Sequence, residues 1–225
     1  MKALSNAHPL RGGEKPRYAG FASNIIPESE SFPKGVSSNF VPLANHYWFV
    51  FRVTYNQIDK ASEAFKEKQI STYFPQHYVL KNIKGKKKRM LAPLLPNFIF
   101  AYTTRNKADS MVRKDIWTSA FLKYYLDKTK ERESNGFHPP LTIGFDEMMN
   151  FIRATSPENE HVMTVTPAMC HFKSGDVVKV IDGDFKGVVG KVARVAGQQR
   201  IIIEIEGLCM IATAYVPSAF IELLK

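Results

Sequence analysis

The stretch VIDGDFKGVVG, residues 180 to 190, sets three glycines and two aspartates between two valine-rich runs. Glycine reaches positive φ at little steric cost, and aspartate tolerates tight turns by bonding its own backbone. The flanking runs, 177–181 and 188–195, are β-branched and read as strands. Gly183, Gly187 and Gly190 therefore mark a sharp turn followed by a bulge or a close backbone approach. Further short apolar runs follow at 201–206, 211–216 and 220–223. Strands this short and this regularly spaced predict a small barrel.

Upstream the pattern changes. HYWFVFRV, residues 46–53, is an aromatic and β-branched strand without turn residues. Asn56 is placed to cap a helix running to Gln69, with Asp59 in its favourable first turn. Ile58, Ala61 and Phe65 give that helix one apolar stripe for a sheet to cover. STYFPQHYVLKNI predicts a strand pair, or one strand interrupted at Pro75; KGKKKR predicts a loop, and MLAPLLPNFIFAYT a second long strand region. A short helix over 106–112, a strand in AFLKYYLD and a helix in IGFDEMMNFIRAT complete this part. The expected architecture is α+β. A flexible arm spans 1–44, an α/β sandwich with a central antiparallel sheet spans 45–154, a linker spans 155–171 and an all-β module spans 172–225.

The formal net charge of +10 raises the expectation of a polyanionic partner, most often nucleic acid, although surplus lysine also serves solubility. No apolar run approaches the ~20 residues needed to span a bilayer. The N-terminus lacks the apolar core of a signal peptide, and Cys170 and Cys209 offer neither a disulfide framework nor metal-type spacing. A cytoplasmic monomer without metal, cofactor or membrane contact is expected. No Ser or Cys sits in a nucleophile-elbow context, and no P-loop or dinucleotide glycine pattern occurs. Asp146 and Glu147 are neighbours on one predicted helix and diverge, so no catalytic residue is assigned.

FKSGDVVKVIDGDFKGVVGKV resembles the KOW motif, in which a Gly-Asp pair leads a strand and a Gly-rich turn follows. WFVFRV followed by a helix, then a basic segment leading into APLLPNFIF, resembles the NGN domain of NusG-type transcription factors. FRVTY, FPQHYVLK, GKKKRMLAPLLPNFIF and IEGLCMIATAYVPSAFIELL look like the UpxY branch, operon-specific antiterminators of capsular polysaccharide loci in gut Bacteroidetes. The resemblance implies an SH3-like KOW barrel, binding to elongating RNA polymerase and suppression of premature termination.

It also implies sites. Leu94, Leu95, Pro96 and Phe98 correspond to the segment that grips the polymerase clamp helices, and strand parity favours Leu95 as outward-facing. The competing account is that Leu94 and Phe98 fill the core beneath the first helix. Asp109 and Ser110 lie where such factors touch the polymerase gate loop. Lysines packed this closely repel one another, so the segment is expected to be a mobile hairpin tip; Lys84, Lys86, Lys87, Lys88 and Arg89 suit phosphate contacts without reading sequence, or form a solvated loop. Tyr55, Gln57 and Lys60, at the start of the first helix, can contact non-template DNA or nascent RNA; an ordinary polar helix face is the alternative. Gly183, Phe185, Lys186 and Gly187 form the KOW turn, where related modules bind a ribosomal protein or Rho. Phe185 is either exposed there or tucked onto its own barrel.

Overall fold

The computed structural model describes residues 41–54, 56–156 and 161–224. Its first sheet is antiparallel and centres on β1 (His46–Val53), which pairs on one side with β5 (Phe98–Thr104) and on the other with β6 (Leu122–Tyr124) and β7 (Thr142–Ile143). β2 (Ser71–Tyr73) extends the sheet beyond β5. Successive strand side chains point to opposite faces, so β1 must be apolar at both parities to be covered on both. Phe49, Phe51, Val53, Ile99 and Ala101 share one cluster with α1 (Ile58–Glu67) and α2 (Arg105–Asp109). Trp48, Val50, Phe100 and Tyr102 share another with α4 (Phe145–Thr155). Between α2 and β6 the chain makes a π-helical turn, Ser110–Lys114, and the short α3, Ile116–Ser119.

The first helix is shorter than expected. Asn56 does not cap it; it adopts φ 59, and Gln57 stands at the N-cap without a capping side-chain bond. At the other end Gln69 takes φ 55 and the Ile70 amide reaches back to the Phe65 carbonyl at 2.9 Å. Ile70 and Phe65 pack in the same cluster, the apolar contact that accompanies a left-handed helix stop. The predicted stripe of Ile58, Ala61 and Phe65 is buried.

The basic segment is a hairpin tip, with Lys86 to Arg89 in a strand where a loop was expected. β3 (Gln76–Ile83) and β4 (Lys86–Pro93) form a two-stranded ribbon joined by Lys84 and Gly85, both at positive φ. A two-residue turn of that handedness matches strand twist, so the lysines beyond it are drawn into a strand despite their low β preference. The expected second long strand region is broken: residues 94–97 leave the ladder between Pro93 and β5, with Asn97 at φ 65.

The expected linker is partly sheet. β8 (Met163–Val165) pairs with β12 (Cys209–Ala212) at one edge of a six-stranded antiparallel sheet of order β13-β9-β10-β11-β12-β8. The remaining strands are β9 (His171–Val180), β10 (Val189–Val195), β11 (Gln198–Ile205) and β13 (Ile221–Leu223). Hydrogen bonding runs as an open ladder from β13 to β8, not as the closed barrel expected. Gly183 and Gly187 sit at φ 80 and 86, as the turn requires. At Gly190 a Cβ would stand 2.3 Å from the Ile202 carbonyl oxygen, which is the close backbone approach expected there.

The two sheets share a core. Met148, Phe151 and Ile152 of α4 belong to the same buried cluster as Val178, Val180, Ile201, Ile203 and Ile205 of the second sheet. The Asn150 carboxamide clasps Val189, donating to its carbonyl at 2.7 Å and accepting from its amide at 2.8 Å. The Tyr125 hydroxyl donates to the Gly207 carbonyl at 3.1 Å. The Arg200 guanidinium donates to the His161 and Thr213 carbonyls at 2.6 and 2.8 Å and fixes the incoming chain to β11.

Candidate functional site

The segment 94–97 is held by its ends. The Leu94 amide bonds the Pro75 carbonyl at 3.0 Å and the Phe98 amide reaches Leu95 at 3.4 Å. Leu94 and Leu95 are both buried, 5% and 7% exposed, in the cluster shared with α4 and the second sheet. The expectation that Leu95 faces outward is therefore corrected: strand parity does not apply where the chain has left the strand. Pro96 is exposed, and Phe98 is half-buried with its ring edge-on to Tyr125 at 5.3 Å. Arg52, opposite Phe98 in the ladder, is exposed beside them.

Asp109 is occupied within the domain. Its carboxylate accepts from Arg105 at 3.1 Å and from the Tyr124 hydroxyl at 3.0 Å, with Arg113 at 3.6 Å. Burial and the Asp109 charge push the Tyr124 phenol upward, so it stays a donor at neutral pH. Ser110 is half-buried at the start of the π-helical turn. Of the trio at the first helix, Tyr55 lies outside the described residues; Gln57 is half-buried and Lys60 exposed.

The ribbon carries cations on both faces, Lys81, Lys86 and Lys88 on one and Lys87 and Arg89 on the other. Facing residues of an antiparallel pair share a face, so Lys81 and Lys88 stand together, as do Ile83 with Lys86 and Asn82 with Lys87. Arg89 lies over the Tyr78 ring, 3.8 Å from its centroid. Lys84, Lys86, Lys87, Lys88 and Arg89 are all exposed. Like charges directly opposite, as at Lys81 and Lys88, destabilise a free ribbon and are relieved by a polyanion.

In the second sheet, Phe185 is 4% exposed and belongs to the shared cluster, so of the two alternatives it is the tucked one that the structure shows. The turn folds back through Val188 bonding the Phe185 carbonyl at 3.0 Å, and this carries the ring inward. Lys186 remains exposed. A hollow of about 280 Å³ opens beside the turn, lined by Asp182, Asp184, Phe185, Tyr215 and Phe220 among others. Burial pushes the Cys209 thiol up to about 12 and raises that of Cys170, so both are poor nucleophiles. Among the described residues no group of three or more His, Cys, Asp or Glu side chains could hold a metal ion, and no helix is long and apolar enough to cross a membrane.

Sequence reading missed Tyr125 and Asn150, which tie the second sheet to the first domain, and Arg200, which ties the incoming chain to β11. Each is a polar side chain in an apolar setting, which marks a buried partner without saying which one.

Residues 46–132 match the family described as transcription termination factor nusG. That stretch, under half of the chain, is a NusG-like domain and makes transcription elongation or termination the functional class. It runs from β1 through β6 and includes the ribbon and segment 94–98, while α4 and the second sheet lie beyond it. Comparison with curated proteins gives no match.

Proposed function

We propose that this chain is an operon-specific antitermination factor that binds elongating RNA polymerase at its clamp helices and suppresses pausing and premature termination. Its targets are capsular or surface polysaccharide genes, its second domain works as a KOW module, and it acts in the cytoplasm as a monomer without catalysis or cofactor. The match of residues 46–132 to NusG carries this reading. A factor that binds two polymerase states unequally shifts their populations without any chemistry.

The burial of Leu94 and Leu95 adds a condition. Clamp helices reach them only if the second sheet and α4 yield, so part of the binding energy goes into uncovering them. Pro96, Phe98 and Arg52 reach the surface already and make the first contact. The basic ribbon supports a nucleic acid nearby: each phosphate it neutralises adds a salt-dependent increment to affinity. Ser110 adjoins the gate-loop contact, with Asp109 as the brace beneath it. Lys186 marks the edge that meets a ribosomal protein or Rho.

Capture of purified RNA polymerase by the full chain, repeated at low salt, tests this. Binding is expected to tighten when Asn150→Ala loosens the cover, and to weaken when Phe98→Ser removes the exposed ring with the thermal transition intact. Transcription from the chain's own operon leader is expected to read further. Empty capture by both the wild type and Asn150→Ala overturns the proposal. Tight binding to free RNA or ribosomes without any effect on transcription assigns the chain to RNA-binding KOW proteins instead.

A further inference from the structure

The most exposed large apolar side chain among the described residues is Ile116, at 89%, and its neighbour Trp117 is 50% exposed. Neither belongs to the segments discussed above. They stand on α3, and that short helix is firmly seated. Asp115 caps it, accepting from the Trp117 and Thr118 amides at 3.1 and 3.2 Å, and its other oxygen meets Lys68 at 3.1 Å. The fully buried Thr118 hydroxyl donates to the Met111 carbonyl, and the Trp117 ring sits edge-on to Phe121 at 5.3 Å. The pair is thus presented outward on a fixed base.

The surroundings are cationic. Arg113 and Lys114, both exposed, lead directly into α3. Lys123, also exposed, bonds the Ser119 carbonyl at 2.7 Å on the far side, and Lys68 flanks the cap. The facing carboxylate, Asp115, is already engaged by Lys68. An exposed indole on a segment flanked by Arg113 (which also leans on Asp109 at 3.6 Å), Lys114 and Lys123 combines a π-face for stacking with charges for a phosphate backbone, and an adjacent apolar side chain can wedge against an unstacked base.

We propose that Ile116 and Trp117, with Arg113, Lys114 and Lys123, form a stacking site for single-stranded nucleic acid. It is separate from the ribbon, which carries charge on strands and takes phosphates without stacking bases. The site needs no polymerase, so its test stands apart from the function proposed above.

The chain has two tryptophans, and Trp48 is fully buried. Quenching of indole fluorescence on titration therefore reports Trp117. With the full chain and no polymerase, oligothymidylate and oligouridylate of ~12 nucleotides are expected to quench, and a blunt duplex to quench less. Trp117→Ala, judged by anisotropy of a labelled oligonucleotide, is expected to weaken binding about five-fold or more with an unchanged salt slope. Lys114→Ala with Lys123→Ala is expected to flatten that slope, and Trp117→Phe to restore most of the affinity. Equal affinity in wild type and Trp117→Ala overturns the proposal. So does quenching by anionic lipid vesicles with none by oligonucleotides, which makes the pair a membrane contact.

Discussion

The two faces of the first sheet are both buried, but by cover of different origin. The face of Phe49, Phe51 and Val53 is closed by α1 and α2, which lie in the NusG-like stretch and a short distance along the chain. The face of Trp48, Val50 and Phe100 is closed by α4 and the second sheet, contributed by chain beyond that stretch. The first cover cannot leave without unfolding the domain. The second is tied by an apolar cluster and a few polar bonds, among them the Tyr125 hydroxyl on the Gly207 carbonyl. The face bearing Leu94 and Leu95 is thus the one covered by chain beyond the NusG-like stretch, and the proposed docking of polymerase requires that cover to yield.

The largest test sets equivalent cavities on the two covers. Phe65, fully buried on the local side, packs tilted against Phe51 with ring centroids 5.3 Å apart. Phe65→Ala is expected to cost about 3–5 kcal/mol and lower the main thermal transition. Ile203→Ala, in the second sheet, is expected to cost about 2–5 kcal/mol, read as an earlier separate loss of the second sheet while the first-sheet signal persists. A single transition moved equally by both substitutions in urea or heat would break the contrast.

That asymmetry was only half legible in the chain. The stripe of Ile58, Ala61 and Phe65 announces a covered sheet face, because helical periodicity is local. The run Trp48–Phe51, apolar at both parities, calls for a second cover, and periodicity alone does not name the partner. Leu95 failed for a related reason: parity presumes an unbroken strand, and two prolines with Asn97 at positive φ end the ladder there. The ribbon was read in part: the cations point to a hairpin tip, as found, but KGKKKR reads as a loop by composition and the extension of strand pairing through Lys86 to Arg89 was missed. Phe185 illustrates the reverse, because its glycine turn was recognised while the direction of the ring depended on a core assembled from remote elements.

A smaller effect is expected at the clasp within the second cover, between α4 and the second sheet. Asn150→Ala leaves the Val189 amide and carbonyl without their partner, at about 1–3 kcal/mol. Hydrogen exchange is expected to quicken at Val189 and its β10 neighbours, while amides of β1 and β5 keep their protection. Equal acceleration in β1 would mean that the second sheet is as integral to the domain as α1, and the contrast would fail.

Acid separates the two covers more gently through a pair of aspartates. Asp127 is 2% exposed in the loop packed against Gly207 of the second sheet. Burial pushes its carboxyl up, but the Thr129 hydroxyl and amide and the Lys130 ammonium outweigh this and hold it below its ordinary value. Asp115 serves the local side, where the Lys68 contact and the α3 amides hold it low. A carboxyl whose folded pKa is depressed contributes stability above its unfolded value and loses it as pH falls through the folded one. Both contributions are therefore complete at neutral pH and fade below about pH 4. Asp127→Asn is expected to flatten the acid limb at the second sheet, followed by exchange in β11 and β12. Asp115→Asn is expected to act less, because its ion pair is largely in water and screened by salt. If raising the salt concentration abolished the Asp127 effect as readily as that of Asp115, the loop against Gly207 would be as wet as α3, and the covered face would owe its closure to the apolar cluster alone.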